Sequence, residues 1–471
     1  MASKMGETPE ARRKLMLETP VMKVVPMIAL PMVISMLIDA FYNLADTYFV
    51  STLGTAATAA VGVNSSLMHF IRAIAMGFGM GASSYISRLL GAKRNDEAHK
   101  VASTTAVTSI GFITFAALIA YIFKGPLVDL LGATPTSRIY SMQYAQYILF
   151  AAPFTAGENI FSQVLRSEGS TTQSMIGMVS GCVVNLALDP LFIFKFGWGV
   201  AGAAAATAIS KVISFVVLLW PFLAKKTMVK ISFKYFTPKW DIYKEVSRMG
   251  IPSFLRAALM SVSTVVTNNL AAGFGDSVLA ACSVSMRIMM FVGSMVIGFG
   301  QGFQPIAGYC WGAKRYHRIK QAFWGTSLLG AIVCLVFGTA IYILAGPIIG
   351  IFTQTDTEIL ELGEYMIRIQ CLTLLAHVWS VVINGLFQAL GRAVSATIMS
   401  LSRSVICLIP CLLIMSRVWG KYGLCSAQAA ADVLSIIIAL PLLFNILREL
   451  TRLDKENPLS EIEAAEASEA E

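Results

Sequence analysis

The sequence predicts an all-α integral membrane protein of twelve transmembrane helices in two pseudo-symmetric six-helix lobes. Three observations carry that prediction. Hydrophobic residues make up 56% of the 471 and charged residues only 13%, about half the charged share of an ordinary soluble domain. The uncharged runs are long: Lys100 and Lys124 enclose 23 uncharged residues, and Gln321 to Thr355 is another 35. Each suffices to cross about 30 Å of hydrocarbon as a helix. Finally, the chain repeats itself at one offset. A membrane β-barrel would alternate apolar and polar residues along its strands, whereas these runs stay apolar. The same composition excludes a soluble enzyme, a disordered chain and a disulfide scaffold.

Apolar runs and their Gly, Pro and charged breaks place the spans near 24–48, 57–85, 101–123, 138–163, 171–194 and 200–223, then 249–272, 279–308, 321–344, 359–386, 396–416 and 424–446. Residues 1–23 form a polar N-terminal segment with no cleavable signal pattern. Residues 24–224 form the first lobe, 225–248 a basic linker, 249–446 the second lobe and 447–471 an acidic tail. In the linker, Thr237 before Pro238 has the form of a helix cap with proline at the first position. That reads as an interfacial helix with Trp240 and Tyr243 at headgroup level; a solvated loop is the alternative. The Ala/Glu/Ser tail after Pro458 reads as disordered.

Lys and Arg set the orientation. Of those outside the spans, 25 fall on the side of the termini and the 225–248 linker and six on the other. The positive-inside rule places both termini in the cytoplasm, as an even number of spans requires. The net charge of +9 reflects these loops and not a nucleic-acid partner. The eight cysteines all lie in apolar stretches, without CxxC or Cys/His clusters, and read as small packing residues.

The repeat is exact at 221 residues for several rare blocks. Pro31 falls on Pro252, Gly54 on Gly275, Gly77-Phe78-Gly79 on Gly298-Phe299-Gly300, Gly91-Ala92-Lys93-Arg94 on Gly312-Ala313-Lys314-Arg315, and Gly125-Pro126 on Gly346-Pro347. Six spans per half make the repeat parallel, with a cleft between the lobes as the usual place for a transported substrate.

Ionisable groups inside hydrocarbon are costly, so each is a candidate functional group. The first span carries Asp39, Asn43 and Asp46 on one helical face. The fifth carries Asn185 and Asp189, followed by Pro190, which breaks the backbone ladder beside the carboxylate. Thr207 lies in the Ala-rich run of the sixth, and Glu158 and Asn159 in the fourth. Carboxylates that meet in low dielectric cannot both stay ionised, so such a pair takes up and releases a proton. With Asn and Thr oxygens beside it, the same cage suits a hard cation such as Na⁺. The competing reading pairs Asp46 and Asp189 with the in-span bases Arg72 and Lys211. Arg256 and Arg287 read as packing or cytoplasm-facing groups, His69 and His377 as buried histidines, and Asp432 as solitary. An aspartyl intramembrane protease is the enzyme alternative for the acid pair. No P-loop is present, so direct ATP driving is not indicated.

Several blocks resemble the multidrug and toxic compound extrusion (MATE) transporters. They are Tyr42-Asn43-Leu44-Ala45-Asp46-Thr47-Tyr48-Phe49-Val50-Ser51-Thr52-Leu53-Gly54, Leu165-Arg166-Ser167-Glu168-Gly169, and Asn185 through Asp189-Pro190-Leu191-Phe192-Ile193. Gly199-Val200-Ala201-Gly202-Ala203-Ala204, the two GAKR blocks and Phe387-Gln388-Ala389-Leu390-Gly391 complete the set. The resemblance spans about residues 20–446. It implies a V-shaped bundle in the cell membrane, without enzymatic activity or cofactor, that exports small organic cations in exchange for H⁺ or Na⁺ and works as a monomer among membrane lipids. The DinF-like branch fits best, which implies a coupling site in the first lobe matching Asp46, Asn185, Asp189 and Thr207, with Asn159 a neighbour. One departure is Asp39, where a polar uncharged residue is expected; an extra carboxylate there would alter coupling or attract a cation, or it is a solvated cleft residue. Met32, Met36, Tyr42 and Phe154 are candidate substrate contacts, since Met adapts its shape to varied partners, with ordinary helix packing the alternative for each. The wider superfamily includes flippases of lipid-linked or oligosaccharide substrates, and a flippase is the runner-up reading. A non-transporting receptor is a third.

The orientation is testable with cysteines introduced singly. A cysteine at Lys226 should react with a membrane-impermeant maleimide only after cells are opened, and one at Arg417 in intact cells; the reverse pattern would invert the topology.

Overall fold

The computed structural model describes residues 9–350 and 356–456; the acidic tail after Pro458 lies outside them. Every regular element among the described residues is helical. In lipid this is obligatory, because a helix satisfies its backbone N–H and C=O groups internally. In order these are α1 (Pro9–Leu17), α2 (Val21–Ser51), α3 (Thr55–Gly91), α4 (Asn95–Ile122), α5 (Lys124–Leu130), α6 (Arg138–Ser167), α7 (Thr171–Pro190) and α8 (Gly199–Leu223). The second half holds α9 (Trp240–Phe274), α10 (Asp276–Gly312), α11 (Tyr316–Gly350), α12 (Thr357–Leu372), α13 (Leu374–Ala389), α14 (Ala393–Leu401) and α15 (Leu408–Glu456).

Among the described residues nine helical stretches are long and apolar enough to cross a membrane, or ten if α12 and α13, bent by 52°, form one span. This is short of the twelve expected for two physical reasons. The 30-residue α6 is absent from the nine because its sequence carries more polar residues. Residues 393–456 count once, although α15 is broken at Gly420, whose φ of 57° and ψ of −135° are not helical.

The repeat is visible in the backbone. Gly54 and Gly275 precede α3 and α10 with φ of 103° and 121°, values that only glycine adopts cheaply. In the two GAKR blocks Lys93 and Lys314 are left-handed (φ 61° and 59°). Arg94 N–H closes onto the Leu89 carbonyl and Arg315 N–H onto that of Cys310, at 2.9 and 2.8 Å, ending both helices alike.

The chain forms two compact units. Among the described residues, unit 1 holds 9–13 and 34–254, and unit 2 holds 14–33, 255–350 and 356–456. The boundaries in α2 (Val33/Ile34) and α9 (Phe254/Leu255) are themselves related by the 221-residue repeat, each falling just past its repeated proline, Pro31 or Pro252. The opening part of each half's first helix therefore packs with the other half's second helix. Small residues make this possible. A Cβ on Gly302 of α10 would lie 2.5 Å from Ala29 Cα in unit 2, and one on Gly81 of α3 would lie 2.1 Å from the Val246 carbonyl oxygen in unit 1.

The linker differs from expectation. It contains a single 3₁₀ turn (Phe233–Tyr235), and the helix expected at 237–243 is the start of α9, which runs on from Trp240 without a break. Thr237 does not cap it; the Lys239 carbonyl accepts the first bonds, from Ile242 and Tyr243 N–H. Trp240 is exposed, but Tyr243 Oη bonds Thr108 Oγ1 of α4 at 3.0 Å and is thereby fixed to unit 1. In α1, Arg12 pairs with Glu168 at 2.9 Å, both buried, and donates to the Lys226 carbonyl at 2.8 Å.

Gly81→Ala should destabilise the protein by about 3 kcal/mol, since a backbone carbonyl cannot give way. Gly62→Ala meets nothing within 4 Å and should be neutral or stabilising by up to about 1 kcal/mol. Thermal unfolding of both variants in one detergent checks the contrast.

Candidate functional site

Unit 1 carries two separate polar groups in its spans, and the difference between them is charge balance. The first is an alternating quartet. Asp39 of α2 pairs with Arg72 of α3 at 3.1 Å, and Glu158 of α6 with Lys211 of α8 at 3.0 Å. Arg72 also feels Glu158, and Lys211 feels Asp39, so the four formal charges cancel. Both bases held in reserve as partners for Asp46 and Asp189 are thus engaged elsewhere.

The second group lies nearer the end where α2 turns into α3. Asp46 of α2 and Asp189 of α7 lie close enough for each to act electrostatically on the other. Two carboxyl groups that approach in low dielectric do not both stay ionised. Asp189 is fully buried and Asp46 half-buried, and one oxygen of each, Oδ1, has no hydrogen-bond partner among the described residues. Asn185, fully buried one turn before Asp189, bridges to α8. With its amide oriented to satisfy both neighbours, Nδ2 donates to Asp189 Oδ2 at 2.8 Å and Oδ1 accepts from Thr207 N–H at 3.1 Å. Tyr42 and Tyr144 both lie near Thr207, and both are acted on by Asp46 and Asp189.

Local sequence explains the placement. Pro190 has no N–H to continue the helical ladder, and the chain passes directly into a π turn, Leu191–Lys195. Such turns frequently mark functional sites. The Ala-rich start of α8 allows close approach: a Cβ on Gly202 would lie 2.9 Å from the Phe192 backbone. Asp46, Asn185, Asp189 and Thr207 are therefore brought together. Asn159 is not: its side chain makes no hydrogen bond among the described residues, and its Oδ1 lies where a Cβ on Gly79 would come within 2.6 Å. Asp39 belongs to the quartet.

Among the candidate substrate contacts, Met32 is fully buried and falls in unit 2, so it offers no surface. Met36, Tyr42 and Phe154 are half-buried in unit 1, and Phe154 packs edge-on to Phe215 at 5.5 Å. His377 is buried as read, but His69 is exposed, bonded to the Ser65 carbonyl at 2.7 Å. Asp432 is not solitary: Arg403 Nε pairs with it at 2.6 Å. Tyr144 was missed because a tyrosine in a span carries no charge signal. It lies 14 residues before Glu158, close to four helical turns, which puts it on the same face of α6. No group of three or more His, Cys, Asp or Glu suited to a metal occurs among the described residues.

Two repeated helical bundles with buried polar groups inside their spans define a multi-pass membrane transporter class. The MatE family model matches residues 31–191 and 252–414, one match per half, and the chain belongs to that family. It is 28% identical to the multidrug export protein MepA of Staphylococcus aureus (strain MRSA252) over 435 residues, covering 92% of this chain and 96% of that one. The outward-facing structure of a multidrug resistance MATE family transporter of the MOP superfamily superposes with a TM-score of 0.88 at 26% identity, covering 93% and 98% of the two chains. A MOP superfamily transporter from Pyrococcus furiosus, described as having a binding pocket of reverse polarity, gives 0.85 at 25% identity over 93% and 98%.

Lys211→Met should cost about 3–5 kcal/mol by leaving the Glu158 carboxylate unpaired. Adding Glu158→Leu should recover most of that loss. Unfolding midpoints of the two variants decide it; no recovery would mean the quartet does not act as a charge-balanced unit.

Proposed function

We propose that the protein is a secondary active multidrug exporter that moves organic, cationic amphiphiles out of the cell by antiport with H⁺ or Na⁺, through alternating access and as a monomer in the plasma membrane. One observation carries this reading: Asp46 and Asp189 meet without a basic partner, while Arg72 and Lys211 are neutralised by other acids. A carboxyl pair held in that way is a place for an exchangeable proton or cation. The names of the similar proteins, multidrug export protein and multidrug resistance transporter, support the cargo class.

In this mechanism Asp46 and Asp189 take up the ion from outside, Asn185 holds Asp189 by its free amide, and Thr207 with Tyr42 and Tyr144 closes the polar chain. Neutralising the pair removes the negative charge that favours a cationic substrate in the same unit, so ion and cargo compete. Pro190 and the π turn leave the backbone beside Asp189 free of a fixed ladder, so the helix can adjust locally to the bound ion. The continuous α2, whose opening part belongs to unit 2, carries the change past Pro31.

Efflux of a lipophilic fluorescent cation from proteoliposomes under an imposed pH or Na⁺ gradient tests the proposal. Asp46→Asn and Asp189→Asn should each lower gradient-driven flux by about tenfold or more, with folding intact, and the effective gradient names the ion. Unchanged flux in both variants would remove the coupling site from this pair.

A further inference from the structure

The second unit holds a polar group of opposite sign. Asp432 of α15 is 5% exposed, pairs with Arg403 Nε at 2.6 Å and accepts from Gln428 Nε2 at 3.1 Å. Arg403 sits in a π turn, Ser402–Ile406, between α14 and α15. Ser263 Oγ of α9 donates to the Ser404 carbonyl, which sets that face of α9 against the turn. Arg256 lies two helical turns before Ser263 on the same face, near the middle of the 35-residue α9. Arg403 acts on it electrostatically, and the buried His377 is acted on by Arg403, Asp432 and Arg256.

Arg256 has no hydrogen bond or ion pair among the described residues. The single nearby carboxylate is already engaged by Arg403 and Gln428. Other described acids of this unit are engaged elsewhere or lie at helix ends: Asp356 caps α12, Asp276 opens α10, Glu358, Glu361 and Glu364 of α12 meet Lys421, Tyr422 and Arg368, and Glu449, Asp454 and Glu456 lie near the end of α15. A guanidinium inside a span without a counter-charge is costly and calls for an anion. Its planar fork matches an oxyanion in two parallel bonds, and Asp432 holds the second guanidinium in position.

We infer that this unit contains an oxyanion subsite in which Arg256, beside Arg403, receives a carboxylate or phosphate, so that the cargo includes zwitterionic amphiphiles as well as plain cations. The subsite rests on the transport reading above. A lipid phosphodiester carries the same chemistry and is the other source of the anion.

The test uses the purified full-length chain and a matched pair of xanthene dyes, one a methyl ester (a cation) and the other its free carboxylate (a zwitterion). Affinities are read by fluorescence polarisation for the native chain, Arg256→Gln and Arg256→Lys. The zwitterion should bind the Gln variant about tenfold more weakly or worse and the Lys variant at an intermediate level, with the ester unchanged in both. Retained phosphatidylglycerol is quantified in parallel by mass spectrometry; if the anion is a lipid phosphate, Arg256→Gln loses bound lipid while the affinities of both dyes stay unchanged. Loss of neither zwitterion affinity nor lipid, or equal loss of both dyes, overturns the subsite. Failure of the ester to bind even the native chain would count against the transport reading instead, and the lipid measurement then still decides the subsite.

Discussion

Hydrocarbon supplies no hydrogen bonds, and nearly everything in this protein follows from that one constraint. The backbone must close its own bonds, so the described chain is helical throughout its spans. Side chains with charge must find partners within the span or carry exchangeable ones. Breaks in the backbone ladder are tolerated only where something else justifies them. Two of them fall beside the polar groups: Pro190 and the π turn Leu191–Lys195 follow Asp189, and the π turn Ser402–Ile406 carries Arg403.

The two halves share a backbone but not a chemistry. Gly54 and Gly275 turn the chain in the same left-handed way, and the GAKR blocks end their helices with the same pair of bonds. These features are steric and survive any change of side-chain charge elsewhere. Polar residues have diverged freely on that common frame. The first unit holds Asp46 and Asp189 in contact without a base, and the second holds Arg256 and Arg403 with one acid, Asp432.

Charge pairing separates structural ions from functional ones. Asp39, Arg72, Glu158 and Lys211 close on themselves at 3.0 and 3.1 Å, and partial exposure of the Asp39–Arg72 pair keeps its contribution to stability small. Had either base turned to Asp189 instead, that carboxylate would have been locked and unavailable for exchange. Asp39 thus has a role that its family position did not suggest: it occupies Arg72.

Much of this was legible in the sequence. Length, lack of charge and the 221-residue offset determine a helical membrane protein of two related halves, because burial in lipid leaves no other option for such runs. In-span charge and helical spacing mark Asp46, Asp189 and Asn185 among several polar candidates, and only the resemblance to the family groups these three with Thr207. Span counting was less secure, since α6 is polar enough to escape a hydropathy criterion and Gly420 divides α15 without a change in composition. Which acid met which base was decided only by tertiary structure. Arg72 and Lys211 are compatible by sequence with any of four acids, and no local pattern separates Asn159, turned toward Gly79, from Asn185, turned toward Asp189. The exchange of opening segments between α2 and α9 is likewise invisible in one dimension, because a close approach at Gly81 or Gly302 depends on what lies opposite. Periodicity fixes which face a residue occupies; only the packed helices fix what that face meets.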